Sequence, residues 1–219
     1  MNSDITEKLD LTLFDRTATY CEVKDALDKS IELKIKAICL PPCFVRWAKK
    51  YVCDRLKICM LINMPYGNET VNAKVVQIRE GLKNGADEFE VAVNMNELKS
   101  GNVDYVFSEL KQLKRACRGR LLKCVFDPSV LTKAELQTFC KNAVYAKCDY
   151  LSIGYPFGKV INGSDIDAVK EYCGKKIRYK LYAKVPDENE IGRVLEKAVD
   201  RVGILALPSA DYGLSVNIE

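Results

Sequence analysis

The sequence predicts a single (β/α)8 barrel spanning residues 1–219. Three observations carry that prediction. Eight short apolar runs alternate with segments of helical periodicity along the chain. Eight is the number of parallel strands that closes a barrel. No linker, low-complexity tract or shift of composition divides the 219 residues, a length that suits one domain.

Strands are expected at Leu9–Leu13, Ala37–Leu40, Ile58–Asn63, Glu88–Asn94, Leu121–Asp127, Tyr150–Gly154, Ile177–Ala183 and Arg201–Ala206. The segments between them read as helices. Val71, Val75, Ile78 and Leu82 share one helical face. So do Val106, Leu110, Leu113 and Cys117, and again Leu136, Cys140 and Val144. Thr132 with Glu135 forms a capping-box pattern ahead of the third of these. An open doubly wound sheet is the alternative, but no Gly-x-Gly-x-x-Gly or P-loop follows any strand.

Composition narrows the chemistry. The net charge of +4 is small and scattered, so no nucleic-acid partner is expected. The basic stretches Lys111–Arg120 and Lys170–Lys180 read as solvated faces. No run of about 18 apolar residues occurs, and Met1–Lys8 lacks a signal-peptide pattern. A cytoplasmic chain without membrane contact is the expectation. The ten cysteines include no Cys-x-x-Cys pair. They read as small buried hydrophobes in a reducing compartment, with no metal and no cofactor. Histidine is absent, which excludes Ser-His-Asp and Cys-His nucleophile systems. Acid–base chemistry must come from Asp, Glu, Lys, Tyr or Cys.

A polar residue inside an apolar strand is the signal to follow, because burying charge is costly. Alternation groups Glu90 with Ala92 and Asn94, Lys123 with Val125 and Asp127, and Lys180 with Arg178 and Tyr182. Asp10, ahead of Thr12, is a further candidate inward carboxylate, and it reads equally as a structural partner for one lysine. Two readings stand for the lysines. One is a barrel-interior ion pair with a carboxylate such as Glu90. The other is an amine whose pKa is lowered by desolvation and a neighbouring cation, which makes it a nucleophile toward carbonyls.

Several segments, in colinear order over most of the chain, resemble the deoxyribose-phosphate aldolase family. Asp10-Leu-Thr-Leu13 is similar to its first-strand Asp-Leu-Thr or Asp-His-Thr motif. Ala37-Ile-Cys-Leu-Pro-Pro42 is similar to Ala-Val-Cys-Val-x-Pro, and Met64-Pro-Tyr-Gly67 to Phe-Pro-x-Gly. Gly85-Ala-Asp-Glu-Phe-Glu-Val-Ala-Val-Asn94 with Leu98-Lys-Ser-Gly101, Leu122-Lys-Cys-Val-Phe126 and Asp200-Arg-Val-Gly203 continue the series.

The resemblance implies a class I aldolase. In that family a sixth-strand lysine forms a Schiff base with the substrate carbonyl. A seventh-strand lysine lowers its pKa, a fourth-strand Asp relays protons, and glycine-rich loops hold the substrate phosphate. Carried onto this chain, the Schiff-base position falls on Ser152, within Tyr150-Leu-Ser-Ile-Gly-Tyr-Pro156. A hydroxyl cannot form an imine. The seventh- and fifth-strand lysines correspond to Lys180 and Lys123, and the fourth-strand Asp to Glu90. The phosphate loops become Lys180-Leu-Tyr-Ala-Lys184 and Gly203-Ile-Leu-Ala206, without the expected glycines and hydroxyls.

Lys180, Lys123, Glu90, Asp10 and Ser152 are therefore the catalytic candidates. Thr12, Cys39 and Lys184 are the substrate-binding candidates, and Tyr212 is the nearest counterpart of the family's terminal tyrosine. The expected activity is a divergent lyase reaction on a small carbonyl compound, with Lys180 as a relocated Schiff-base amine. Two alternatives are a silent barrel with a binding or structural role, and an imine-free lysine/carboxylate enzyme. A homo-oligomer is compatible with any of them. Little or no cleavage of deoxyribose 5-phosphate is expected.

Overall fold

A computed structural model of the protein describes residues 3–155, 161, 163–183, 188–197 and 199–206. Eight strands, β1 Leu9–Leu13, β2 Ala37–Leu40, β3 Lys57–Ile62, β4 Glu88–Ala92, β5 Leu121–Phe126, β6 Tyr150–Ile153, β7 Arg178–Tyr182 and β8 Arg201–Ala206, form the wall. Every neighbouring pair is parallel, and β8 closes onto β1. Helices lie between the strands: α1 Ser3–Thr6, α2 Tyr20–Glu32, α3 Pro42–Val52, α4 Val71–Lys83, α5 Met95–Lys99, α6 Val103–Ala116, α7 Lys133–Tyr145, α8 Gly163–Cys173 and α9 Glu188–Glu196. Among the described residues, no helix is long and apolar enough to cross a membrane.

Local chemistry sets the element ends. Thr19 with Glu22 and Thr132 with Glu135 form complete capping boxes at the starts of α2 and α7, the second as expected from sequence. Three expected strands end early for one reason: their last polar residues leave the ladder. Asn63 takes a left-handed φ of 50° and accepts a hydrogen bond from the Glu69 N–H. Asn94 caps α5 through the Glu97 N–H, and Asp127 caps a short 3-10 turn through the Ser129 N–H. Gly67 closes the β3–α4 connection at φ 70°, where a Cβ would sit 2.2 Å from the Val93 carbonyl oxygen.

The barrel has two interiors of opposite character. The large apolar core lies between wall and helices, and includes Leu11, Ile38, Met60, Phe89, Phe126 and Ile204. Inside the lumen the apolar cluster is small: Cys39, Cys59 and Leu61, with Phe14 and Met64 packed on it. Most barrels of this class fill the lumen with branched aliphatics. Here the lumen carries Asp10, Glu88, Glu90, Lys123, Lys180 and Arg201, all buried.

A second buried ion pair ties the outer layer to the wall. Lys74 on α4 meets Glu109 on α6 at 2.5 Å and donates to the Gly67 and Ala92 carbonyls at 2.5 and 2.9 Å. Glu109 also accepts from the Asn94 N–H at 3.1 Å. Burial pushes the Glu109 carboxyl above its ordinary value despite Lys74. Removing Lys74 would strand that carboxylate. Lys74→Ala is expected to destabilise the fold by about 3–5 kcal/mol in urea unfolding. A loss under about 1 kcal/mol would show that the pair carries little of the α4–α6 packing.

Candidate active site

The site is built by side chains alternating into the lumen. β1 contributes Asp10 and Thr12, β4 Glu88 and Glu90, and β5 Lys123. Ser152 comes from β6, Lys180 and Tyr182 from β7, and Arg201 from β8. Asp10, Thr12, Glu90, Lys123, Ser152 and Lys180 are each 0% exposed.

Two layers of contacts connect them. In the lower layer, toward the N-terminal ends of the strands, Arg201 makes a two-pronged contact with Glu88 at 2.7 and 2.8 Å and reaches Asp10 at 2.9 Å. Lys123 bridges Asp10 at 2.5 Å and Glu88 at 2.8 Å. The Tyr150 ring lies against Arg201, 5.2 Å from centroid to guanidinium. In the upper layer, Lys180 meets Glu90 at 2.8 Å and Asp10 at 3.2 Å. Glu90 also accepts from the Ser152 hydroxyl at 2.7 Å, the Tyr182 hydroxyl at 3.1 Å and the Cys39 thiol at 3.3 Å.

These contacts decide the protonation states. Burial works to neutralise Lys180, but Cys39, Glu90, Tyr182 and Asp10 outweigh it and hold the amine well above its ordinary value. Burial likewise opposes charge on Lys123, and Asp10 leads the groups that raise it. Burial favours neutral Asp10 and Glu90, yet both are pulled down, Asp10 by Lys123, Lys180 and Arg201 and Glu90 by Lys180 and Lys123. The lowered-pKa amine expected from sequence is not what the geometry produces. That reading placed a second cation near Lys180 and named Glu90 and Asp10, but it missed Glu88, the third carboxylate among the lumen cations. The contacts are those of the ion-pair reading.

Seven sequence candidates, Lys180, Lys123, Glu90, Asp10, Ser152, Thr12 and Cys39, lie together in the lumen. Lys184 and Tyr212 lie outside the described residues. Arg178, which shares a strand face with Lys180, is exposed at the strand start and stacks on Tyr150 at 4.2 Å. Asn94 and Asp127 serve as caps. The stretch Lys170–Lys180 is not uniformly solvated, since its last residue is the buried lysine. Sequence reasoning passed over Glu88, Arg201 and Cys59. The alternation that singled out Glu90 also covers Glu88, two residues earlier. Arg201 begins an otherwise apolar strand.

A cleft of about 380 Å3 opens above β1–β3, lined by Phe14, Arg16, Pro41, Leu61, Asn63 and Met64 among others. Leu61 belongs to the thiol cluster, and Phe14 and Met64 pack against it. The cleft floor therefore rests on Cys39 and Cys59.

Comparison with known proteins fits this architecture. The model of the DeoC/LacD family aldolases matches residues 4–154. The chain belongs to the DeoC/LacD aldolase family. The deoxyribose-phosphate aldolase of Streptococcus agalactiae is 29% identical over 201 residues, covering 91% of this chain and 90% of that protein. The deoxyribose-phosphate aldolase of Clostridioides difficile is 27% identical over 202 residues, with 91% of each covered. Among solved structures, the tetrameric deoxyribose phosphate aldolase from Aeropyrum pernix superposes with a TM-score of 0.84 at 16% identity, over 92% of this chain and 86% of that one. Family and fold are thus those of aldolase-type lyases.

Asp10 touches all three lumen cations, so its removal leaves positive charge uncompensated. Asp10→Asn is expected to cost about 3–5 kcal/mol near neutral pH. Because the folded-state pKa is depressed, this stabilisation is fully present above the ordinary carboxylate value of 3.8. It is lost as pH falls below that value toward the depressed one. Urea titrations of both proteins from pH 7 to pH 3 should show a gap that narrows below about pH 4. A gap that widens on acidification would reverse the assignment.

Proposed function

We propose that this chain is a lyase of small carbonyl compounds that works without a Schiff base. Lys180 acts as an ammonium and Glu90 as the base. The observation that carries the reading is the Lys180–Glu90 contact at 2.8 Å inside a lumen where both are fully buried. A protonated amine has no lone pair with which to attack a carbonyl. It can place positive charge beside a carbonyl oxygen as negative charge develops there.

The reaction class follows. Glu90 takes the hydroxyl proton of a β-hydroxy carbonyl compound. The carbon–carbon bond breaks to give one carbonyl product and an enolate, whose oxygen is stabilised by Lys180. Reprotonation of the enolate carbon by the protonated Glu90 gives the second carbonyl product and restores the base. Ser152 occupies the position the family resemblance gives to the imine lysine. Its hydroxyl donates to Glu90 at 2.7 Å and orients that carboxylate.

The substrate is proposed to lack a phosphate. Tyr182, the last residue of β7, packs its ring against Gly203 of β8, within the two segments that the resemblance aligns with the phosphate loops and that lack the family's glycines and hydroxyls. A Cβ on Gly203 would meet its ring at 2.6 Å. The tetramer named for the Aeropyrum pernix relative supports a homo-oligomeric assembly as part of this proposal.

A second reading, a silent barrel with a binding role, is favoured by the mutual saturation of the six lumen charges. Proton exchange separates the two. In D2O the chain should catalyse exchange of the α-protons of acetaldehyde or propanal, followed by NMR. Glu90→Gln should slow that exchange about 100-fold or more, the usual contribution of a positioned base. Deoxyribose 5-phosphate should not be cleaved. Exchange no faster than buffer would favour the silent barrel. Cleavage of the phosphate sugar at about 1 per second would overturn the altered-substrate reading.

A further inference from the structure

We propose that Cys39, Cys59 and Glu90 form a binding site for one borderline-soft divalent cation of the zinc class, on the floor of the cleft. Cys39 on β2 and Cys59 on β3 are register partners across adjacent parallel strands. Both side chains point into the lumen and both are fully buried. Glu90 enters from β4. The three ligand atoms lie within 4.8 Å of one another, and the Cys39 Sγ is 3.3 Å from a Glu90 carboxylate oxygen. A thiolate sulfur and a carboxylate oxygen on one tetrahedral zinc stand roughly 3.5 Å apart, given bonds of about 2.3 and 2.0–2.2 Å. The three groups are thus already near ligand spacing.

An independent feature points to a ligand at the same place. Among the described residues, the Thr12 hydroxyl oxygen is buried without a hydrogen-bond partner, and Thr12 is the register neighbour of Cys39 on β1. Leaving such a group unsatisfied costs about 1–3 kcal/mol. A metal-bound water or the metal itself would give it a partner.

Charge selects the kind of ion. Among the described residues, the lumen holds three carboxylates, Asp10, Glu88 and Glu90, and three cations, Lys123, Lys180 and Arg201. Their sum is zero with both thiols neutral. Binding a divalent ion while the Cys39 and Cys59 thiols release their protons to solvent keeps the sum at zero. A hard ion that left the thiols protonated would put two uncompensated charges in a buried interior. Two thiolates and one carboxylate also suit zinc better than magnesium or calcium. The Lys180 ammonium lies 3.8 Å from the Cys39 sulfur. Ser152, Tyr182 and Lys180 already hold the Glu90 carboxylate and would orient it as outer partners.

Phe14 and Met64 border both the thiol cluster and the cleft, so the three ligand groups lie buried beneath the cleft floor. Sequence reasoning expected no metal because it looked for closely spaced cysteines. These two are brought together by strand pairing instead.

The site shares Glu90 with the lyase reading, but its test does not rest on that reading, since binding is measured without substrate. The full chain is stripped with chelator under reducing conditions and titrated with zinc against a chromophoric competitor. One equivalent should bind, two thiols should become protected, and X-ray absorption should resolve two sulfur neighbours at about 2.3 Å. Cys59→Ser should weaken binding about 100-fold or more, beyond the about 10–100-fold that loss of an outer partner costs. Serine at the exposed Cys21, Cys43 and Cys53 should leave it unchanged. Absence of stoichiometric zinc, a zinc bound by nitrogen and oxygen alone, or binding lost only in the surface triple variant would each overturn the site. If Cys59→Ser fails to fold, the absorption spectrum of the unmodified protein decides alone.

Discussion

Closure of charge in a buried lumen is the constraint on which the rest of the barrel depends. Among the described residues, three carboxylates and three cations face one another there, and none can be removed without stranding a partner. An unpaired charge in such a place costs several kcal/mol, while a paired one roughly breaks even. The outer core is ordinary by comparison. Its apolar strand faces pack on helices and need only volume and pattern.

This closure also links Ser152 to the state of the lysines. A fourth cation at position 152 would leave the lumen with one positive charge in excess. The least costly relief would be loss of a proton from one amine, which creates a nucleophile. With serine there the sum is zero, and each lysine keeps a carboxylate. On the proposed reading, a single neutral residue on β6 moves the site from imine chemistry toward chemistry by hydrogen bonding and proton transfer. The Ser152 hydroxyl then serves Glu90 instead of a substrate.

Much of the fold could be read from the sequence, because strands of a parallel barrel are buried on both faces and stand out as apolar runs. For the same reason Lys123, Lys180 and Glu90 were conspicuous. Strand ends were less legible, since Asn63, Asn94 and Asp127 act as caps and not as ladder residues. Arg201 and Glu88 were hidden at strand starts, where charge commonly belongs to the surface. Cys59 was hidden because a thiol in an apolar run looks like any small hydrophobe. The direction of the lysine pKa shifts could not be read at all. It depends on how many carboxylates converge in space, and alternation along single strands does not report that.

The central claim is that charge balance, set by position 152, keeps Lys180 protonated. Borohydride trapping with acetaldehyde, mapped by peptide mass spectrometry, tests it on the unmodified chain and on Ser152→Lys side by side. No adduct is expected on any lumen lysine of the unmodified chain, and an adduct at position 152 is expected in the variant. An adduct on Lys180 of the unmodified chain would contradict the claim, because it would mean that a neutral amine persists beside Glu90 without a fourth cation.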